Sequence, residues 1–247
     1  MTTAATTRRR PQWLRVSAWL LRAYGKLMVW FWGVVVFFAV AILAVVSRFH
    51  EVRVSGLQFA QHGALWYPFS LAIILTSAYL GIHVASGLTR RSFALASLVV
   101  AASVSLVNAV AATVLLLVER AVYDGLGWYH GLVGEPVTRE VLADGPVVHA
   151  IGLFVVLTAG MVSGTLVALA YYRFGGLTGT LTLPLSMLPL VVAGLFPVVG
   201  SRSWSPWEMS QWADLLPGPA PTLLVLAAGA AAVVATARRI PIAAKEA

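Results

Sequence analysis

Six runs of roughly 20–26 residues contain no Asp, Glu, Lys or Arg: 27–47, 67–86, 93–118, 147–171, 177–199 and 215–237. This pattern constrains the chain more than any other feature. A helix needs about 20 predominantly apolar residues to cross the hydrocarbon core of a bilayer. Inside that core every backbone N–H and C=O must be satisfied, which leaves helices or a closed barrel. Barrel strands are about 10 residues long and alternate in polarity, and these runs do neither. The sequence therefore predicts an all-α polytopic membrane protein with six transmembrane helices. Composition agrees: 60% of residues are hydrophobic and 11% charged, against about 25% charged in soluble domains.

The charges between the runs predict the orientation. With the N-terminus inside, Arg8, Arg9, Arg10, Arg15, Arg22, Lys26, Arg90, Arg91, Arg173, Arg238, Arg239 and Lys245 lie on the inner side. Only Arg48, Arg53, Arg120, Arg139 and Arg202 lie outside. The excess of inner basic residues matches the positive-inside rule, so both termini are expected in the cytoplasm. Of the acids, only Glu246 falls inside, and the acids are expected in loops. This topology accounts for the net charge of +8 without a nucleic-acid partner. No cysteine is present, which excludes a disulfide frame and a thiolate metal site.

Three parts follow: residues 1–26 as a cytoplasmic segment, 27–237 as the spanning domain and 238–247 as a cytoplasmic tail. The first span is expected to stay in the mature protein, because no small-residue cleavage pattern follows it promptly. Residues 11–26 mix Trp13, Leu14, Leu20 and Leu21 with Arg15, Arg22 and Lys26. They read as an interfacial helix on the inner leaflet. The alternative is a frayed start to the first span with snorkelling arginines. Outside, Val137–Ala143 reads as a short helix. Residues 201–220, with three tryptophans, read as an interfacial or re-entrant segment, or as a plain loop. Pro184, Pro189 and Pro197 predict a bent or broken fifth span, since each removes an amide donor.

Chemistry-bearing motifs are sparse. The nucleotide-binding pattern G-x-x-x-x-G-K-[ST] is absent, as is H-E-x-x-H. No G-x-S-x-G occurs either. Neither a catalytic residue, nor a cofactor site, nor a metal site is expected. The intramembrane polar candidates are His83 and Asn108. Such groups are functional candidates by default, although each can simply hydrogen-bond a neighbouring helix.

The inner segment SGLTRRSFALASL, residues 86–98, holds two adjacent arginines in a very short gap. On topology alone, Arg90 and Arg91 hold that loop inside. The order Gly87, Leu88, Thr89, Arg90, Arg91, Phe93 nevertheless resembles the loop between spans two and three of bacterial type-2 ABC exporter permeases, notably an actinobacterial-like group. Glu119–Arg120 closing span three, and Gly127–Trp128 after it, are similar to the same group. So is the element Tyr171, Tyr172, Arg173, Phe174, Gly175, with Gly179 following.

The resemblance covers roughly residues 70–180, and the final third matches only in general character. It implies a substrate pathway formed by two permease copies, as a homodimer or heterodimer. A separate cytoplasmic ATP-binding subunit would bind and hydrolyse ATP. Gly87, Leu88, Thr89, Arg90, Arg91 and Phe93 would form the coupling loop, and Tyr172, Arg173 and Gly175 an inner motif after span four. The expected location is a bacterial plasma membrane, with lipid as the surrounding partner. The competing function is an integral membrane enzyme, or an assembly or structural protein without ATPase coupling.

Overall fold

The computed structural model describes residues 11–131, 141–196 and 219–240. It is mainly helical, with no strand among these residues. The helices are α1 (Gln12–Phe49), α2 (Ala60–Ala85), α3 (Arg90–Leu126), α4 (Pro146–Leu181), α5 (Leu183–Leu195) and α6 (Ala220–Arg238). A 3-10 turn, Leu57–Phe59, leads into α2. Five helices are long and apolar enough to cross a membrane, and α5 is a shorter apolar one. This is the architecture of a multi-pass membrane protein.

Helix α4 is the centre of the bundle. Residues 160–170 are buried without interruption, so this helix has no polar face, as expected of a helix packed on all sides. Small residues let its neighbours approach. A Cβ on Gly164 would lie 2.5 Å from the Phe69 carbonyl oxygen of α2. One on Gly160 would lie 2.7 Å from a Leu65 methyl, and Gly229 of α6 meets Pro189 of α5 in the same way. In a bilayer, close backbone approach of this kind supplies the dispersion that holds helices together.

The contacts fix the direction of each helix. Gly179 packs on Tyr171 and the Leu190 N–H donates to Ser163 Oγ at 3.2 Å, so α5 runs back along α4. The Thr222 hydroxyl donates to the Phe196 carbonyl, and Gly229 meets Pro189, so α6 runs back along α5. Phe93 at the start of α3 clusters with Ala237 at the end of α6. It also lines a small cavity with Leu20 and Tyr24 of α1. The first part of α1, the start of α3 and the end of α6 therefore lie at one end of the bundle.

Two sequence expectations change here. Residues 11–26 are not a separate interfacial helix, because α1 continues unbroken to Phe49. Val16, Ser17, Leu20, Tyr24 and Met28 form its buried stripe, so Leu20 faces the bundle, at 3% exposure, and not lipid. Arg15, Arg22 and Lys26 are exposed. The physical reason is length: 38 residues span about 57 Å, so these charges clear the hydrocarbon without any bend.

The fourth and fifth spans also differ in detail. α4 breaks at Gly175, whose φ of 76° and ψ of −172° suit only glycine. Its last turn, residues 176–181, then leads through Thr182 into α5. Pro184 sits at the start of α5 and Pro189 inside it, and Ser163 of α4 takes up the Leu190 amide. This is the neighbour repair that lets membrane helices carry proline. Pro197, residues 137–140 of the expected short helix, and nearly all of 201–220 lie outside the described residues. Residues 141–143, the rest of that short helix, form a turn.

Candidate functional site

The turn between α2 and α3 contains only Ser86–Thr89, and its geometry is fully specified. The Leu88 N–H donates to the His83 carbonyl at 3.2 Å and the Gly87 N–H to the Val84 carbonyl at 3.0 Å. This pair of bonds ends a helix with a left-handed residue, and Gly87 supplies it with φ 79°. Leu88 then packs against the core cluster of α1, α2 and α3. Thr89 caps α3: its hydroxyl accepts from the Ser92 N–H at 3.1 Å, while the Ser92 hydroxyl donates to the Thr89 carbonyl at 2.7 Å. Phe93 is buried at 2% exposure and sits edge-on to His83, ring centroids 5.4 Å apart.

Arg90 and Arg91 occupy the first two positions of α3. Cations are unfavourable at the positive end of a helix dipole, by about 0.3–1 kcal/mol each. Local helix stability thus gives no reason for them. They diverge in the structure. Arg91 is exposed and Arg90 half-buried, with a buried Nε that meets no hydrogen-bond partner among the described residues.

The second inner motif lies at the same end. Tyr172 approaches α2, where a Cβ on Gly81 would lie 3.1 Å from its hydroxyl. Tyr171 shares a 2.9 Å hydrogen bond with the Thr180 hydroxyl across the Gly175 break. The Arg173 guanidinium lies 4.9 Å over the Phe174 ring. The structure thus gathers Gly87–Phe93, His83 and Tyr172–Gly175 at one end. Arg15, Arg22, Lys26, Arg238 and Arg239 share that end, and no described acid does.

Asn108 is elsewhere, about 27 Å further along α3 at 1.5 Å per residue. It is 1% exposed. Its Oδ1 accepts from Trp32 Nε1 at 2.8 Å, and its Nδ2 donates to the Val104 carbonyl at 2.8 Å and to the Met28 sulfur at 3.3 Å. It ties α1 to α3 with its hydrogen bonds spent, which is a structural role.

At the opposite end the structure reveals a site that sequence reasoning missed. Glu119 is not in a loop as expected; it lies within α3 and is 8% exposed. Its Oε1 accepts from the Gly56 N–H at 2.9 Å and the Leu57 N–H at 3.1 Å. Its Oε2 accepts from the Ser55 hydroxyl and lies 2.9 Å from His130 Nε2. One turn on, the Tyr123 hydroxyl donates to the Val54 carbonyl at 3.0 Å. The Ser55 N–H donates to the Gly131 carbonyl at 3.0 Å. Residues 52–57 and 128–131 are thereby locked onto α3. The sequence marked Glu119 only as the residue closing span three; its pairing with Ser55 and His130 carried no signal there.

The Glu119 cluster holds Ser55 on a carboxylate and not on an imidazole. Ser55 and His130 both engage the same carboxylate oxygen, and Ser55 Oγ also accepts from the Gln58 N–H at 3.2 Å. A serine nucleophile needs its hydroxyl on a base and open to substrate. Among the described residues, no three His, Asp or Glu side chains gather as a metal site. Comparison with protein-family models, curated proteins and solved structures finds no match for this chain.

Proposed function

We propose that the chain is the transmembrane permease subunit of an ABC-type exporter, working with a separate cytoplasmic ATP-binding subunit. In this reading it crosses a bacterial plasma membrane six times, with both termini in the cytoplasm. The fifth crossing is residues 176–195, made from the last turn of α4 and α5. Two permease copies complete the pathway. ATP hydrolysis belongs to the partner.

One observation carries the reading: a short, rigid turn presents two arginines where the helix itself disfavours them. Coupling requires an element that a moving partner can push without deforming it, and contacts that differ between the partner's states. The capped Gly87–Thr89 turn meets the first requirement, because a push there is delivered to α2 and α3 together. Arg90 and Arg91 meet the second, since guanidinium groups bind carboxylates and carbonyls through a rigid fork of donors. The basic end of the bundle, free of described acids, favours an acidic partner surface. The alternative of an integral membrane enzyme loses support from the engaged Ser55–Glu119–His130 cluster.

The test is capture from the native membrane. The tagged chain should co-purify with a P-loop ATPase, and a photo-crosslinker at Arg91 should join the two. A crosslinker at Arg53, at the other end, should not. A C-terminal reporter found on the outer face, or purification with no ATPase at any solubilising condition, would overturn the proposal.

A further inference from the structure

A groove of about 500 Å³ lies between the outer half of α1 and residues 52–60, within the ~300–1,000 Å³ range of small-ligand sites. Val35, Phe38, Ile42 and Val46 form one wall, and Leu57 and Phe59 lie opposite. Two polar side chains reach it, Ser55 and Tyr123, and both hydroxyls are already donated, to Glu119 and to the Val54 carbonyl. Among the described residues no side-chain hook remains for a polar ligand.

The depth of the groove identifies what it meets. Val35 to Val46 is about 16 Å of helix rise, roughly half the ~30 Å hydrocarbon thickness. It lies within the uncharged run 27–47 and stops just short of Arg48 and Glu51. The groove therefore opens onto the hydrocarbon of one leaflet. Its apolar lining gives water too few partners to stay. Left unfilled, the lining would forfeit dispersion contacts.

Its chemistry identifies the occupant. The lining offers apolar contacts along about 16 Å of helix and, among the described residues, no side-chain hydroxyl left to donate, which suits an extended hydrocarbon chain from the leaflet onto which the groove opens. We propose that the groove binds one acyl chain of a membrane lipid. The proposal rests on the chain spanning a bilayer and is independent of the transport reading. Val35 and Ala39 of α1 pack against the cluster of Leu57 and Leu116, while Phe38, Ile42 and Val46 stay exposed and the facing segment is pinned by Glu119. A bound chain covers the apolar side chains that protein packing leaves open.

The experiment uses the full-length protein in phosphatidylcholine vesicles containing a lipid with a mid-chain diazirine. After irradiation, adducts are mapped by peptide mass spectrometry. Phe38, Ile42 and Phe59 should be labelled several-fold more than Val107, Val110 and Val114 of α3, which are similarly exposed but do not line this groove. Ala39→Phe and Ala60→Leu narrow the groove from opposite sides, and each should lower groove labelling. Unchanged labelling of α3 reports that a variant is intact. Labelling that simply follows exposure, or groove labelling untouched by both variants, would overturn the proposal. So would crosslinks joining two copies through the outer half of α1.

Discussion

Glu119 and Asn108 sit on the same helix and illustrate two different uses of a buried polar group. Glu119 serves two backbone amides, a hydroxyl and an imidazole. Removing an acceptor strands its donors at about 1–3 kcal/mol each when they stay buried. Glu119→Ala is therefore expected to destabilise the protein by about 2 kcal/mol or more, read as a fall in the thermal midpoint in detergent. Segments 52–57 and 128–131 should become protease-sensitive before the bundle does. A midpoint within error of the wild type would contradict this account of the cluster. Asn108 makes ordinary interhelical bonds, worth about 0.6 kcal/mol on average in membranes. Asn108→Leu should thus cost little stability and leave activity intact. Loss of activity in a stably folded Asn108→Leu protein would give that residue a functional role the geometry does not.

At the scale of elements, the close α2–α4 contact and the Gly175 break are the most sensitive points. Gly164→Val places side-chain atoms against the Phe69 carbonyl, and overpacking of this kind costs about 1–3 kcal/mol or more. The variant is expected to insert but to lose compact packing, seen as aggregation on size-exclusion chromatography. A monodisperse variant of wild-type stability would contradict that contact. Gly175→Ala forces alanine into a backbone region nearly reserved for glycine, at about 1–3 kcal/mol, and should loosen the hairpin between α4 and α5.

How far such elements could be read from sequence depended on which signal decided them. Apolar runs gave the helices because bilayer length and backbone satisfaction leave few choices. The extent of α1 was not legible, because Arg15, Arg22 and Lys26 look alike on an interfacial helix and on a rod that outgrows the membrane. The α2–α3 turn was legible through Gly87, where the backbone demands that residue. The Glu119 cluster was not, because its partners come from segments 64 and 11 residues away that only the fold brings together.

Over the whole molecule, charge and topology coincide. Arg15, Arg22, Lys26, Arg90, Arg91, Arg173, Arg238 and Arg239 lie at one end with no described acid. The other end mixes Arg48, Arg53 and Arg120 with Glu51, Glu119, Asp124 and Asp144. The exposed pair Arg53–Glu51, at 2.5 Å, adds little stability of its own. The asymmetry is a property of the bundle, and it orients one basic face toward one compartment. The proposed coupling uses that face through a turn rigid enough to carry a push into two helices. The most direct measurement is ATP hydrolysis and transport by the reconstituted permease–ATPase complex carrying Arg90→Glu together with Arg91→Glu. With the doubly substituted protein still inserted and monodisperse, loss of both activities is the expected result. Hydrolysis and transport at wild-type rates would contradict coupling through this turn.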